Sequence, residues 1–315
     1  MTARQIRCGI LGPGRHRNGL GPFLARWFEH AGLEVSAVAG RDDARTREAA
    51  REFTDRFGHP VDARLGVDGL LAPGDLDVLV VASPHETHAD AIRAGLEASV
   101  HVYCEKPIVT PARTDEIGAL CRGFVERGLV LFENCQWPCF LPVFDAIWPD
   151  RPAVPALDVR MMLSPSGTGL DAVVDSLSHL LSVVQAVTPL HYDGTEVEVA
   201  FATRAETADA NEVTLRFVGP AGELRARLTL ERHESQPRPA WVEIDGRRVV
   251  REIRMADYAI FGSANGVRLE VDDPLAALVY RFADLVREPT NDRIQRESDR
   301  IHDRARFFRD VVAAW

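Results

Sequence analysis

Lys106 is the single lysine among the 37 basic residues of this 315-residue chain, and arginine carries the positive charge everywhere else. An ammonium is a compact point donor whose pKa can be tuned, whereas a guanidinium is a planar fork that stays protonated. The retained ammonium stands in Glu105-Lys106-Pro107, directly after the run Val100 to Cys104. There a strand of a parallel sheet would end and meet its ligand, so Lys106 stands where a ligand would bind. A second pair, Asp175 and His179, has i,i+4 spacing and therefore shares one helix face. Histidine titrates near neutrality and passes protons, while a nearby carboxylate orients it or holds a substrate hydroxyl. Taken alone, the pair is more often a surface hydrogen bond.

Three further groups suit a dinucleotide. Gly12-Pro13-Gly14 follows the first strand-like run, where missing side chains let backbone approach a pyrophosphate, with Arg15 next in the loop. The third position of the short fingerprint is Arg17, and the next glycines are Gly19 and Gly21, so the loop is longer than the minimal one. Gly40-Arg41 stands at the end of the second strand, where an acid would hold an adenosine ribose. An arginine there pairs with a 2′-phosphate and favours NADP(H), while Asp42 and Asp43 keep NAD(H) open. Ser83-Pro84-His85-Glu86 reads as a capping box at a helix start beside the same crevice, and His85 or His88 can line it.

These residues need elements to carry them. Strand and helix signals alternate from Ile6 to Phe132, which predicts a doubly wound parallel sheet in an α/β domain. Prolines and aromatics then break the pattern between Glu133 and Pro155, and strands dominate beyond it. The predicted domains are 1–133, binding the dinucleotide, and 134–315, binding substrate, with the closing helix free to pack back on the first. Strand-like runs at Leu157 to Leu163, Glu196 to Ala202, Glu212 to Val218, Glu223 to Leu230 and Trp241 to Val250, with Pro220-Ala221-Gly222 and Asp245-Gly246 as turn residues, predict a mostly antiparallel open sheet. A helix over Leu170 to Val187 carries Asp175 and His179; its large residues make an apolar stripe, and Ala172, Asp175, Ser176, His179, Ser182 and Ala186 make a small, polar face.

Composition narrows the function class. A formal net charge of −10 argues against nucleic acid as the main partner and for a small molecule. The expectation is a cytoplasmic protein without a spanning segment or membrane partner. The five cysteines are odd in number and lack C-x-x-C spacing, so neither a disulfide framework nor a metal site is expected.

With these motifs together, the chain resembles the Gfo/Idh/MocA family, relatives of glucose-fructose oxidoreductase and inositol dehydrogenase. The resemblance rests on the strand-loop glycines, Ser83-Pro84 with His88, Glu105-Lys106-Pro107, and the Asp175-to-His179 helix after Gly167-Thr168-Gly169. It implies a Rossmann domain, a C-terminal α/β domain used for homo-oligomerisation as dimer or tetramer, and interconversion of a ketone and a secondary alcohol on a sugar or cyclitol. By motif it assigns Lys106, Asp175 and His179 to catalysis. Gly12, Gly14, Arg15, Arg41, Ser83, Pro84, His88, Glu105 and Lys106 are then the cofactor residues, with NADP(H) favoured. Gln136 and Trp137 join Lys106, Asp175 and His179 toward substrate. One departure is the segment Asn134-Cys135-Gln136-Trp137-Pro138-Cys139, which replaces an arginine-containing stretch and points to a less usual substrate. Two other readings fit the same residues: a lyase, epimerase or glycosidase that keeps its cofactor bound, and a non-catalytic NADP-binding regulator.

Overall fold

A computed structural model describes residues 4–14, 19–151, 155–220 and 222–315. The chain divides into two units: 1–134 with 275–302, and 135–274 with 303–315. The first is built on β1 (Ile6–Leu11), α1 (Gly21–His30), β2 (Leu33–Gly40), α2 (Asp43–Phe57), β3 (Asp62–Leu65), α3 (Gly66–Leu71), β4 (Val78–Val81), α4 (His88–Glu97), β5 (His101–Glu105), α5 (Ile117–Glu126) and β6 (Leu131–Asn134). Its six strands, counted among the described residues, lie in the order β3-β2-β1-β4-β5-β6, and every pairing is parallel. Helices cover both faces of such a sheet, so the inner strands are largely apolar; Val78 to Val81 are all fully buried. Ala39, Leu11, Val81, Cys104 and Glu133 form one row across the sheet, so the chain leaves every one of these strands at the same edge.

Local chemistry sets the element boundaries. Asp42 caps α2 by accepting the Arg45 N–H at 3.0 Å, and Gly58 ends that helix in the left-handed region at φ 77°. An aromatic cluster fills the interior around Tyr103, which stacks on Phe132 at 5.4 Å and meets Phe28 and Phe282 edge-on. Phe282 comes from α8 (Pro274–Arg287), whose residues from 275 onward join this unit, as does α9 (Asn291–Ala313) up to residue 302. β3 and α3 escaped the sequence reading because Asp62-Ala63-Arg64-Leu65 is an edge strand with largely exposed side chains and no apolar run.

The second unit contains α6 (Leu141–Ile147), β7 (Asp158–Leu163), α7 (Gly169–Val187), β8 (Glu196–Phe201), β9 (Ala210–Gly219), β10 (Gly222–Glu231), β11 (Ala240–Ile244), β12 (Arg247–Arg254), β13 (Ala259–Ala264) and β14 (Val267–Val271). The strand order is β14-β13-β12-β11-β7-β10-β9-β8, with only β7 and β10 parallel. Burial alternates along β9 and β10 with period two, so one face of the sheet is covered and the other is not. The covered face packs on α7 through Val173, Leu177, Leu180, Leu181 and Val184.

The strand-like run Trp241 to Val250 is two strands, parted at the Asp245-Gly246 turn read in the sequence. Asp245 and Gly246, at φ 48° and 78°, turn the chain there, and both conformations lie in the left-handed region that a tight hairpin needs. β13 and β14 were also missed in the sequence. The expectation that no segment reaches spanning length is corrected by α7, which has 19 residues and a mean hydropathy of 1.3. That apolarity serves the core, since two-thirds of the helix window is buried.

Candidate functional site

In the first unit the candidate residues gather at the carboxyl edge of the sheet. Gly12, at φ 88°, follows β1, and its N–H donates to the Ala39 carbonyl at 2.8 Å. A Cβ on Gly12 would stand 2.7 Å from both the Ala82 oxygen and the Ser83 nitrogen of the neighbouring strand end. The close-packing role of the third glycine falls to Gly21, where a Cβ would stand 2.4 Å from the Gly12 oxygen and 2.6 Å from Pro13. Gly21 opens α1, whose first turn carries no acid and no side-chain cap. The Gly12 backbone and the start of α1 therefore meet at the point where strand order reverses. Gly14 is exposed in this loop, and Arg15 lies outside the described residues.

At the end of β2, a Cβ on Gly40 would come within 2.7 Å of the Thr46 hydroxyl, so a ribose-binding acid has no room there. Arg41 is exposed beside it. Asp42 is engaged as the α2 cap.

The loop after β4 departs from expectation. Ser83 caps nothing: its hydroxyl donates to the Thr87 hydroxyl at 2.6 Å, and Thr87 in turn donates to the Pro84 carbonyl at 2.8 Å. A short 3-10 turn, His85–Thr87, precedes α4, because Pro84, expected at the first helical position, holds an extended ψ of 143° and stands outside the helix. His88 is the residue that matters. It is 1% exposed, with Nδ1 2.8 Å from the Pro107 carbonyl and Nε2 2.9 Å from the Ser83 carbonyl. The ring thus ties the loop after β4 to the loop after β5. Burial pushes its pKa down, opposed in part by the two carbonyl oxygens.

The Lys106 loop is fixed from the other side by β6. Buried Glu133 accepts the Ile108 N–H at 3.0 Å. Asn134 donates to Glu105 and accepts the Tyr103 hydroxyl proton at 2.9 Å. The sequence reading missed Glu133 and Asn134 as positioning residues. An acid and an amide ending a fully buried parallel strand were the available signal. Half-buried Lys106 therefore springs from a backbone clamped by His88, Glu133 and Asn134.

Asp175, His179, Gln136 and Trp137 belong to the second unit. Asp175 is exposed and His179 half-buried, with its Nδ1 out of solvent. The small, polar face drawn from sequence is not open, since Ala172, Ser176 and Ser182 are buried. Ser182 donates to the His179 carbonyl at 2.8 Å, which satisfies its hydroxyl within the helix. Gln136 begins the 3-10 turn Trp137–Phe140, and Trp137 is a core residue at 6% exposure that packs against Phe140. None of the five cysteines is in a disulfide, and burial raises the Cys121 thiol to about 12, which leaves it inert at neutral pH.

Comparison with known proteins gives these features a context. Residues 6–135 match the Gfo/Idh/MocA family, described as an oxidoreductase family with an NAD-binding Rossmann fold. The chain is 36% identical over 100 residues to D-xylose 1-dehydrogenase (NADP(+)) 2 of Haloferax volcanii, covering 32% of this chain and 29% of that protein. It is 36% identical over 132 residues to dTDP-3,4-didehydro-2,6-dideoxy-alpha-D-glucose 3-reductase of Saccharopolyspora spinosa, covering 42% and 36%. These matches span about a third of the length of each curated relative. Over the whole chain the fold is that of UDP-N-acetylglucosamine 3-dehydrogenase from Acidithiobacillus ferrooxidans (TM-score 0.67, 22% identity, 98% of both chains). It is shared with a 3-ketoreductase from Actinomadura kijaniata, solved with TDP-benzene and NADP (TM-score 0.66, 23% identity, 98% and 97%).

Proposed function

We propose that this chain, whose residues 6–135 match the Gfo/Idh/MocA oxidoreductase family, is an NADP(H)-dependent enzyme of that family interconverting a ketone and a secondary alcohol on a sugar, cyclitol or related polar metabolite. The observation that carries the reading is the clamped Lys106 loop beside the glycine cradle. A loop held by a buried histidine and a buried glutamate positions its ammonium far more tightly than a surface lysine requires.

The cradle fits a dinucleotide, because Gly12 and Gly21 leave backbone where any Cβ would collide. Gly12, Gly14, Ser83 and Pro84 would hold the cofactor along the carboxyl edge, with Arg15 on the same loop, and Arg41 would pair with its 2′-phosphate. When bound, the nicotinamide supplies or accepts the hydride. Lys106 Nζ would donate to the reacting oxygen and stabilise its developing charge. His179 would hold the transferred proton on Nε2, since Nδ1 is out of solvent, with Asp175 orienting it or the substrate.

The relative named glycosyl hydrolase family 109 protein, from Streptomyces coelicolor and 28% identical over 139 residues, keeps the retained-cofactor reading in play, and net cofactor turnover separates the two. The test is NADPH oxidation against a panel of keto-sugars. His179→Ala should lower turnover about a hundredfold while leaving cofactor affinity intact. Turnover within a few-fold of the parent would remove His179 from the mechanism.

A further inference from the structure

Arg251 lies in β12, on the covered face of the second unit's sheet together with Val249. Its register partners are Ala240 on β11 and Gly262 on β13, so neither neighbouring strand sends a large side chain across it. A Cβ on Gly262 would reach 2.7 Å from Val143 and 3.3 Å from Phe140, which keeps that position small. The guanidinium carbon stands 5.2 Å from the centre of the Trp137 ring.

What this arginine lacks sets it apart. Arg247, Arg248 and Arg254 on the same strand each meet a carboxylate: Asp150 at 2.9 Å, Glu243 at 2.8 Å and Asp257 at 2.6 Å. Arg251 has no carboxylate within ion-pair distance among the described residues, and its Nε is out of solvent with no hydrogen-bond partner. Burial alone lowers its pKa to about 10, so it stays charged at neutral pH. Arg238, two residues before the Ala240 that pairs with Arg251, also has its Nε out of solvent and unpartnered. A half-buried guanidinium whose Nε is shut off from water and which meets no anion is costly, and a fold that retains one has a use for it when an anion arrives.

We propose that Arg251, seated against Trp137, binds an oxyanion carried by the substrate, a carboxylate or a phosphate group. The guanidinium fork matches either group in a bidentate fashion, and the aromatic face holds its plane. The segment Gln136-Trp137-Pro138-Cys139 has no cation of its own, and the sheet supplies one. This inference rests on reading the second unit as the substrate-binding one, and it narrows the substrate class from neutral sugars to acidic ones.

Calorimetric titration of the full chain with NADPH present tests it, using D-glucuronate, D-glucose 6-phosphate and neutral D-glucose. At least one anionic probe should bind about tenfold or more tightly than glucose, as a charge-assisted contact warrants. The stronger of the two tells carboxylate from phosphate. Arg251→Met should erase that preference, leave NADPH affinity unchanged and keep the urea midpoint at or above that of the parent. Arg251→Lys, which keeps charge without the fork, should retain a weakened preference. An anion preference that survives in Arg251→Met, or none in the parent, would overturn the assignment. Titration needs no turnover, so absence of NADPH binding or of any redox activity would strike the oxidoreductase reading separately.

Discussion

His88 gives the sharpest test of how the first unit holds Lys106. Replacing it by leucine keeps most of the buried volume and removes both ring nitrogens, so the Ser83 and Pro107 carbonyls lose the partner now 2.9 and 2.8 Å away. A neutral imidazole donates to only one of them at a time, so one full hydrogen bond is lost. Leaving a buried acceptor unsatisfied costs about 1 to 3 kcal/mol, and the cavity contribution is small because leucine fills the space. Urea unfolding should therefore show His88→Leu destabilised by about 1 to 3 kcal/mol with an unchanged slope. The functional loss should exceed what stability explains. Pro107 is adjacent to Lys106, and a misplacement of about 1 Å at a reacting group can cost a hundredfold in rate. Turnover at saturating substrate should fall accordingly in folded protein, and cofactor affinity should weaken because Ser83 belongs to the same tie. A His88→Leu variant with the parent's urea midpoint and turnover would show that the imidazole positions nothing.

Lys106→Arg should lose most activity while remaining folded and able to bind cofactor, because a guanidinium cannot occupy the space of a point donor; a fully active variant would refute the role. Arg41→Ala should weaken NADP(H) binding about tenfold or more and leave NAD(H) unchanged, as losing one charge-assisted phosphate contact implies; equal affinities in the parent would sink the assignment. Stability should also fall on mild acidification. Burial lowers the pKa of both His88 and His101, and His101 Nδ1 accepts the Val130 N–H at 2.9 Å, so each is bound in its neutral form. The unfolded chain takes up protons near pH 6.5 and the native state only below it, so their contribution is complete above about pH 6.5 and lost as pH falls through the folded values. The urea midpoint should drop between pH 7.5 and 5, and drop less in His101→Gln. A flat profile over that range would contradict it.

The parallel architecture was legible in sequence because a strand covered on both faces must be apolar along its whole length, and Val78 to Val81 cannot be read another way. The Gly12 loop and the Lys106 triplet were legible for a related reason: their residue types are tied to local backbone demands at strand ends. Elements without that periodicity were not. β3 is polar, and β13 and β14 lie toward an edge, so their pairing is decided by neighbours distant in the chain. The capping box at Ser83 failed because Pro84 stays extended, while His88 ties the Ser83 carbonyl to the distant Pro107 carbonyl. Likewise α7 presented a small, polar face in projection, but packing buried Ser176 and Ser182. Sequence alone thus singled out the candidate residues by type and spacing. Only tertiary structure decided which of them are clamped, and that Arg251 would be left without a carboxylate, because burial and pairing depend on what the other strands bring alongside.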